Sequence, residues 1–373
     1  MEFNQQRVLD RLIQMIKIDS PSYEESPMTD FLQKYFEDLG YEVYRDHAGK
    51  AIGGDDSGNL LLHIPGTIPG EGICFNAHQD TVEPGRGIEP VFENGILKSK
   101  GDTILAADDK SGIVMMMEAL DRLKETNTPH RDLWYLFTIC EENGMHGAKN
   151  FDYSKLPCKN ICALDGAGKL GGMTKSGAGK DALEITFHGK MAHGGIEPEK
   201  GINAIAVAAD AISRIKFGRI DPETTSNIGR IEGGGATNIV TDKVTFTCEV
   251  RSHTQKQIQD QVDLIVKACQ DAAKDWGATV DIDVDHFCPP HKPDPECWMT
   301  KSIIKAYELE GITPTFHVSN GSGDANIFSG KGFHCSGLST GMNAVHTTEE
   351  YLIMEDWAQA FNIVWTLMTS TEL

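Results

Sequence analysis

The sequence predicts an α/β protein: a mixed, largely parallel sheet flanked by helices, interrupted by a smaller inserted α+β domain. Three observations lead there. Short apolar runs are continuous rather than alternating, which marks strands buried on both faces of a sheet. Segments with apolar residues at helical spacing fall between them, so strand and helix alternate along the chain. In the middle third the order changes to β-α-β-β-α-β, which is sufficient for a domain by itself. A length of 373 residues exceeds one ordinary core and agrees with two domains.

Two helices open the chain. Val8, Leu9, Leu12, Ile13 and Ile16 share one face, as do Phe31, Leu32, Tyr35, Phe36 and Leu39, with Gly40 as a stop signal. Residues 59–64, 73–77, 133–140 and 160–164 read as buried strands, with a helix over 111–123 between the second and third. The Gly-rich stretch 175–181 marks a hinge. Beyond it come strand 183–188, helix 202–216, strands 226–231 and 243–251, helix 254–276 and strand 279–285. Val244, Phe246, Cys248 and Val250 lie on one face of their strand, and Val280, Ile282 and Val284 on one face of theirs. This order is ferredoxin-like. The breaker at 288–295 closes it, and alternation resumes with helix 298–310, strand 315–318, helix 325–329, strand 334–338 and helix 355–368. The expected partition is one α/β domain in two parts, residues 1–178 and 290–373, split by an inserted domain over 179–289.

Acidic residues outnumber basic ones, 55 to 34, for a net charge of −21. Such a surface repels phosphate backbones and anionic lipid, so neither nucleic acid nor a membrane is an expected partner. A small substrate is not constrained, because a local metal site can invert the field. No run approaches the ~20 apolar residues of a membrane span, and the amino terminus has no apolar signal core. Nine cysteines without CxxC spacing read as buried free thiols, and the expected location is the cytoplasm.

The chemistry-bearing residues sit where ligands bind in open α/β sheets, beyond the carboxyl ends of strands. One predicted strand runs into His78 and Asp80, a second into Glu141 and Glu142, and a third into Asp165. The loop before the helix at 111–123 carries Asp108 and Asp109, and His346 lies far downstream. A His-x-Asp pair at a strand end can ligate a metal through one side chain and orient it through the other, although a polar turn has the same pattern. Adjacent carboxylates point apart, so one can bind metal while the other takes a proton; an acidic solvated loop is the plain alternative. Asp108 and Asp109 could cap a helix, or one of them could bridge two metals about 3.5–4 Å apart. His346 alone could be any surface or core histidine. Together, two histidines and three carboxylates form a nitrogen/oxygen set suited to zinc, with cobalt or manganese as substitutes.

The segments FNAHQDTVEPG, AADDKSG, TICEENGMHGA, CALDG and AVHTTEE occur in that order. They resemble the co-catalytic zinc peptidase family of peptidase T, glutamate carboxypeptidase and aminoacylase, and within it the peptidase T-like tripeptide aminopeptidases. The resemblance spans nearly the whole chain. It implies two zinc ions per subunit: His78 and Asp165 on one, Glu142 and His346 on the other, and Asp108 bridging both. It also implies that Asp80 orients His78, that Glu141 is the general base, and that the Asp108–Asp109 peptide is cis. The inserted domain resembles the family's lid and dimerisation domain, which implies a homodimer. His193, Asn238 and Arg251 match family positions that contact substrate, as do Asp324 and Asn326 within NGSGDANIF, where the Gly/Ser order departs from the family's loop. The function implied is cleavage of peptide bonds in small peptides by a metal-activated hydroxide. An N-acyl-amino-acid amidohydrolase or carboxypeptidase would share the metals and the base. A non-catalytic scaffold would be expected to lack one of the seven residues at the metals and the base, and all seven are present.

Overall fold

The computed structural model describes residues 4–373. The chain divides into two compact units. One runs to Lys175 and takes in Lys292–Val318 and Gly323–Leu373; the other holds Ser176–His291 and Ser319–Ser322.

The first unit is built on a mixed sheet. Among the described residues its order is Val43–Arg45, Leu60–Ile64, Leu133–Thr138, Ile73–His78, Asn160–Ala167, His334–Asn343, Tyr351–Ile353, Ile96–Ser99 and Pro90–Glu93. The strands Leu133–Thr138, Ile73–His78, Asn160–Ala167 and His334–Asn343 are mutually parallel, and the flanking strands pair antiparallel. All six residues of Ile73–His78 are buried, which explains a run with no polar alternation. Helix Ala107–Thr126 packs against this strand and is buried all round from Ala107 to Leu120, with Ile113, Val114, Met115, Met116 and Leu120 fully buried. Helices Gln5–Ile16, Trp298–Leu309 and Met354–Thr369 complete the layers, and Trp357 and Phe361 stack at 5.8 Å within the core.

The short outer strands were not signalled by periodicity, since three or four residues complete barely one alternation. Two of them carry a separate signal. Pro90–Glu93 and Ile96–Ser99 form a hairpin around Asn94 and Gly95, both with positive φ, 51° and 81°. That is the turn chemistry that Asn-Gly favours.

The second unit is an antiparallel sheet in the order Gly218–Arg219, Thr225–Gly233, Lys243–Ser252, Gly179–His188 and Thr279–Cys288. Leu183, Ile185, Phe187, Val244, Phe246 and Val250 point to one face and meet Val207, Ile258, Val262 and Ile265 of helices Ala204–Ser213 and Gln255–Trp276. The alternate residues of these strands are polar or half-exposed, so a single face is covered. Apart from the two-residue strand Gly218–Arg219, this is the expected ferredoxin-like order. Among the described residues no helix is long and apolar enough to cross a membrane.

Candidate metal centre

Parallel strands aligned in register deliver their carboxyl ends to one edge of the sheet. Asn76 pairs with Ala163 and His78 with Thr138, so His78, the residues after Thr138 and Asp165 emerge side by side. The strand His334–Asn343 runs parallel beside Asn160–Ala167 and leads on to His346. The loop before helix Ala107–Thr126 brings Asp108 to the same edge. Asp108 and Asp109 have non-helical backbone angles, and the peptide between them is cis.

Five side chains converge there. His78 Nε2 lies 3.1 Å from Asp108 Oδ1 and 3.8 Å from Asp165 Oδ1. His346 Nε2 lies 3.3 Å from Asp108 Oδ2 and 2.9 Å from Glu142 Oε2. Asp108 thus turns one carboxylate oxygen to each histidine, and it belongs to two donor triads, His78–Asp108–Asp165 and Asp108–Glu142–His346. Glu141 is buried beside them and forms a further group with His78 and Glu142. A bare helix cap accounts for Asp109, whose carboxylate accepts from the Gly112 and His78 amides, but not for Asp108.

The electrostatics are those of a site built for positive charge. Burial, reinforced by repulsion from Asp108, pushes the Asp165 carboxyl well above its usual range. Burial does the same to Glu141, with Asp324, Glu142 and Asp80 adding repulsion, and raises Glu142 as well. Burial also works on Asp108, but hydrogen bonds from His346 and His78 outweigh it and hold this carboxyl low. His346, hydrogen-bonded to Asp108 and Glu142, is raised to about 10. Two imidazoles and three carboxylates, with one carboxylate shared, fit a pair of divalent ions of the zinc, cobalt or manganese type.

The loops holding these groups are unusual. Ala106, Cys140, Ala344 and His346 all take positive φ, between 51° and 64°. Non-glycine residues held there persist only when their surroundings over-determine them, and such residues cluster at functional sites. Buried carboxylates do the holding. Asp80 accepts from the Glu141 and Glu142 amides at 2.9 and 3.2 Å and from Ser22 Oγ at 2.7 Å. Glu25 accepts from the Cys140 amide at 2.9 Å and from Ser57 Oγ at 3.1 Å. The expected contact of Asp80 with His78 has a specific form: strand pairing ends at His78, and its Nδ1 lies 3.0 Å from the Asp80 backbone carbonyl and 3.4 Å from the carboxylate. Neither Ser22 nor Glu25 has a sequence pattern of its own.

The remaining candidates fall in two places. Asp324 and Asn326 open helix Asp324–Gly330 in the first unit and are buried; Asn326 Oδ1 accepts from the Gly323 amide at 3.0 Å. A Cβ at Gly323 would sit 3.0 Å from Glu141 Oε1 and 3.7 Å from Asp165 Oδ2, so this turn packs directly against the two carboxylates. His193, Asn238 and Arg251 belong to the second unit. The first two are exposed and adjacent, joined by the Gly194 amide donating to the Asn238 carbonyl at 2.8 Å. Arg251 is half-buried, paired with Glu249 at 2.8 Å, and donates to the Asn320 carbonyl at 3.2 Å.

Similarity to known proteins runs the length of the chain. Residues 178–277 match the peptidase dimerisation domain, and residues 59–188 match peptidase family M28. The protein YqjE of Bacillus subtilis (strain 168) is 37% identical over 361 residues, covering 97% of each chain. The solved structure of aminopeptidase PepT from Bacillus cereus ATCC 10987 is 38% identical and superposes with a TM-score of 0.90, covering 98% of each chain. A tripeptidase from Staphylococcus aureus subsp. aureus mu50 is 31% identical with a TM-score of 0.91, again over 98% of each chain.

Proposed function

The chain belongs to the co-catalytic metallopeptidase family of peptidase T, and from that premise we propose that it is a dizinc aminopeptidase acting on tripeptides. The observation that carries this reading is Asp108, shared between two donor triads, with buried Glu141 beside it. His78 and Asp165 would hold one zinc and Glu142 and His346 the other, with the carboxylate of Asp108 common to both donor sets. When bound, the two ions lower the pKa of a water molecule and polarise the scissile carbonyl.

The side chains then divide the work. Glu141 accepts a proton from the attacking water and returns it to the leaving amine. Asp80 keeps Glu141 and Glu142 apart by their amides and fixes the ring of His78. Asp324 and Asn326, on the turn against Glu141, and His193, Asn238 and Arg251 in the second unit are proposed substrate contacts. Alanine at any of these five should raise KM more than it lowers kcat. The second unit is proposed as the dimerisation domain of a homodimer, in keeping with its family match and its exposed Met191, Ile196, Ile231 and Ile239. A cytoplasmic location suits the nine free thiols.

The test is a panel of di-, tri- and tetrapeptides, with an N-acetylated tripeptide as the discriminating member. Wild-type protein loaded with zinc should release the amino-terminal residue of the free tripeptide and spare the acetylated one. Glu141→Gln should lose at least about a hundredfold in kcat while retaining both metals. Cleavage of the acetylated peptide alone would favour the N-acyl amidohydrolase, and full activity in Glu141→Gln would remove the base.

A further inference from the structure

Glu350 lies four residues beyond His346 and is 2 % exposed. Its carboxylate is spent on backbone: Oε2 accepts from the Leu105 and Ala106 amides at 2.8 and 2.9 Å, and Oε1 from the Asp108 amide at 3.0 Å. Hydrogen bonds to an ionised acceptor are roughly twice as strong as neutral ones, and here three meet on one group. They grip a segment in which Ala106 is left-handed, with φ 64°. The Glu350 amide meanwhile donates to the Thr347 carbonyl at 3.1 Å, closing the turn just after His346, itself at φ 62°. One residue therefore belongs to the turn of His346 and binds the loop of Asp108, which lies 242 positions from it along the chain.

We propose that Glu350 is a positioning residue that sets the spacing of Asp108 against His346, and through it the affinity of the ion those two side chains share with Glu142. It rests on the two-metal reading above. The side-chain chemistry explains why an acid is needed: three N–H groups converge on two oxygens, and a neutral amide would turn its own donor against at least one of them. Loss of such a supporting partner lowers metal affinity by about 10–100-fold in metal sites generally. The clamp parallels that of Asp80, whose carboxylate accepts from the Glu141 and Glu142 amides.

The experiment is calorimetric titration of chelator-treated full-length protein with Zn2+ alone. Wild type should take up two equivalents. Glu350→Gln should bind the ion shared by Asp108, Glu142 and His346 at least tenfold more weakly, with a smaller loss at the other, which also draws on Asp108. Glu349→Gln, changed at the exposed neighbour, should match wild type at both. Two equivalents in the wild type with both affinities unchanged in Glu350→Gln would overturn this inference and leave the dizinc reading intact. A wild-type chain that takes up no zinc would overturn both. Amide exchange in metal-free wild type gives a reading independent of any variant's folding. The Leu105, Ala106 and Asp108 amides should be protected by at least about a hundredfold, and exchange at the unprotected rate would contradict the clamp.

Discussion

Cys140 holds a left-handed conformation, φ 52°, one residue before a pair of acids that must face different ways. The Glu25 carboxylate secures the Cys140 amide, and Asp80 secures the next two. The backbone is fixed first, and the side chains of Glu141 and Glu142 inherit their directions from it. A buried histidine of the second unit gives a separate test of what burial does to a titrating group. His291 is 3 % exposed, and burial lowers its pKa from 6.5 to about 4. The folded state keeps the ring neutral, while the unfolded chain takes up a proton below 6.5. Stability from this site is therefore complete above pH 6.5 and is lost as pH falls towards 4, by about 3 kcal/mol in total. Urea unfolding at pH 7.5 and 4.5 should show a smaller loss in His291→Phe than in wild type. Equal losses in the two proteins would mean that His291 is protonated in the fold. What was legible at this scale was chemistry that announces itself: histidines and paired acids at the ends of apolar runs. Ser22, Glu25 and Glu350 were not, because an acid or hydroxyl that serves a backbone amide is indistinguishable in sequence from a solvated one.

At the scale of elements, burial on both faces made the central strands readable and brevity hid the outer ones. Val43–Arg45 and Tyr351–Ile353 are three residues each, too short for any period. The hairpin around Asn94–Gly95 was within reach, since its turn residues are the strongest local signal a hairpin gives. Helix Gln255–Trp276 shows how firmly an end can be specified. Gly277 is left-handed at φ 68°, its amide donates to Lys274, and the Ala278 amide donates to the Ala273 carbonyl at 2.8 Å. A Cβ at Gly277 would meet only Ile202 Cδ1 at 3.8 Å, an ordinary contact. The cost of Gly277→Ala is therefore conformational, about 1 kcal/mol, and should appear in thermal or urea unfolding of the second unit. Gly235→Ala, in open space, should change little. Equal effects would show that the cap is not what ends this helix.

At the scale of the whole chain, a polypeptide with a net charge of −21 gathers several of its acids into one buried cluster, a costly arrangement unless cations complete it. The parallel register of four strands brings the acids together, and the clamping carboxylates of Glu25, Asp80 and Glu350 keep them there without using the oxygens of Asp108, Glu142 or Asp165. The similarity to aminopeptidase PepT and to the staphylococcal tripeptidase covers 98% of the chain, so the family assignment applies to both units. The most direct measurement is anomalous scattering at the zinc edge from crystals of zinc-loaded protein. Two peaks about 3.5–4 Å apart are predicted, one against His78 and Asp165, the other against Glu142 and His346, with Asp108 between them. A single peak elsewhere, or no peak at these residues, would contradict the account.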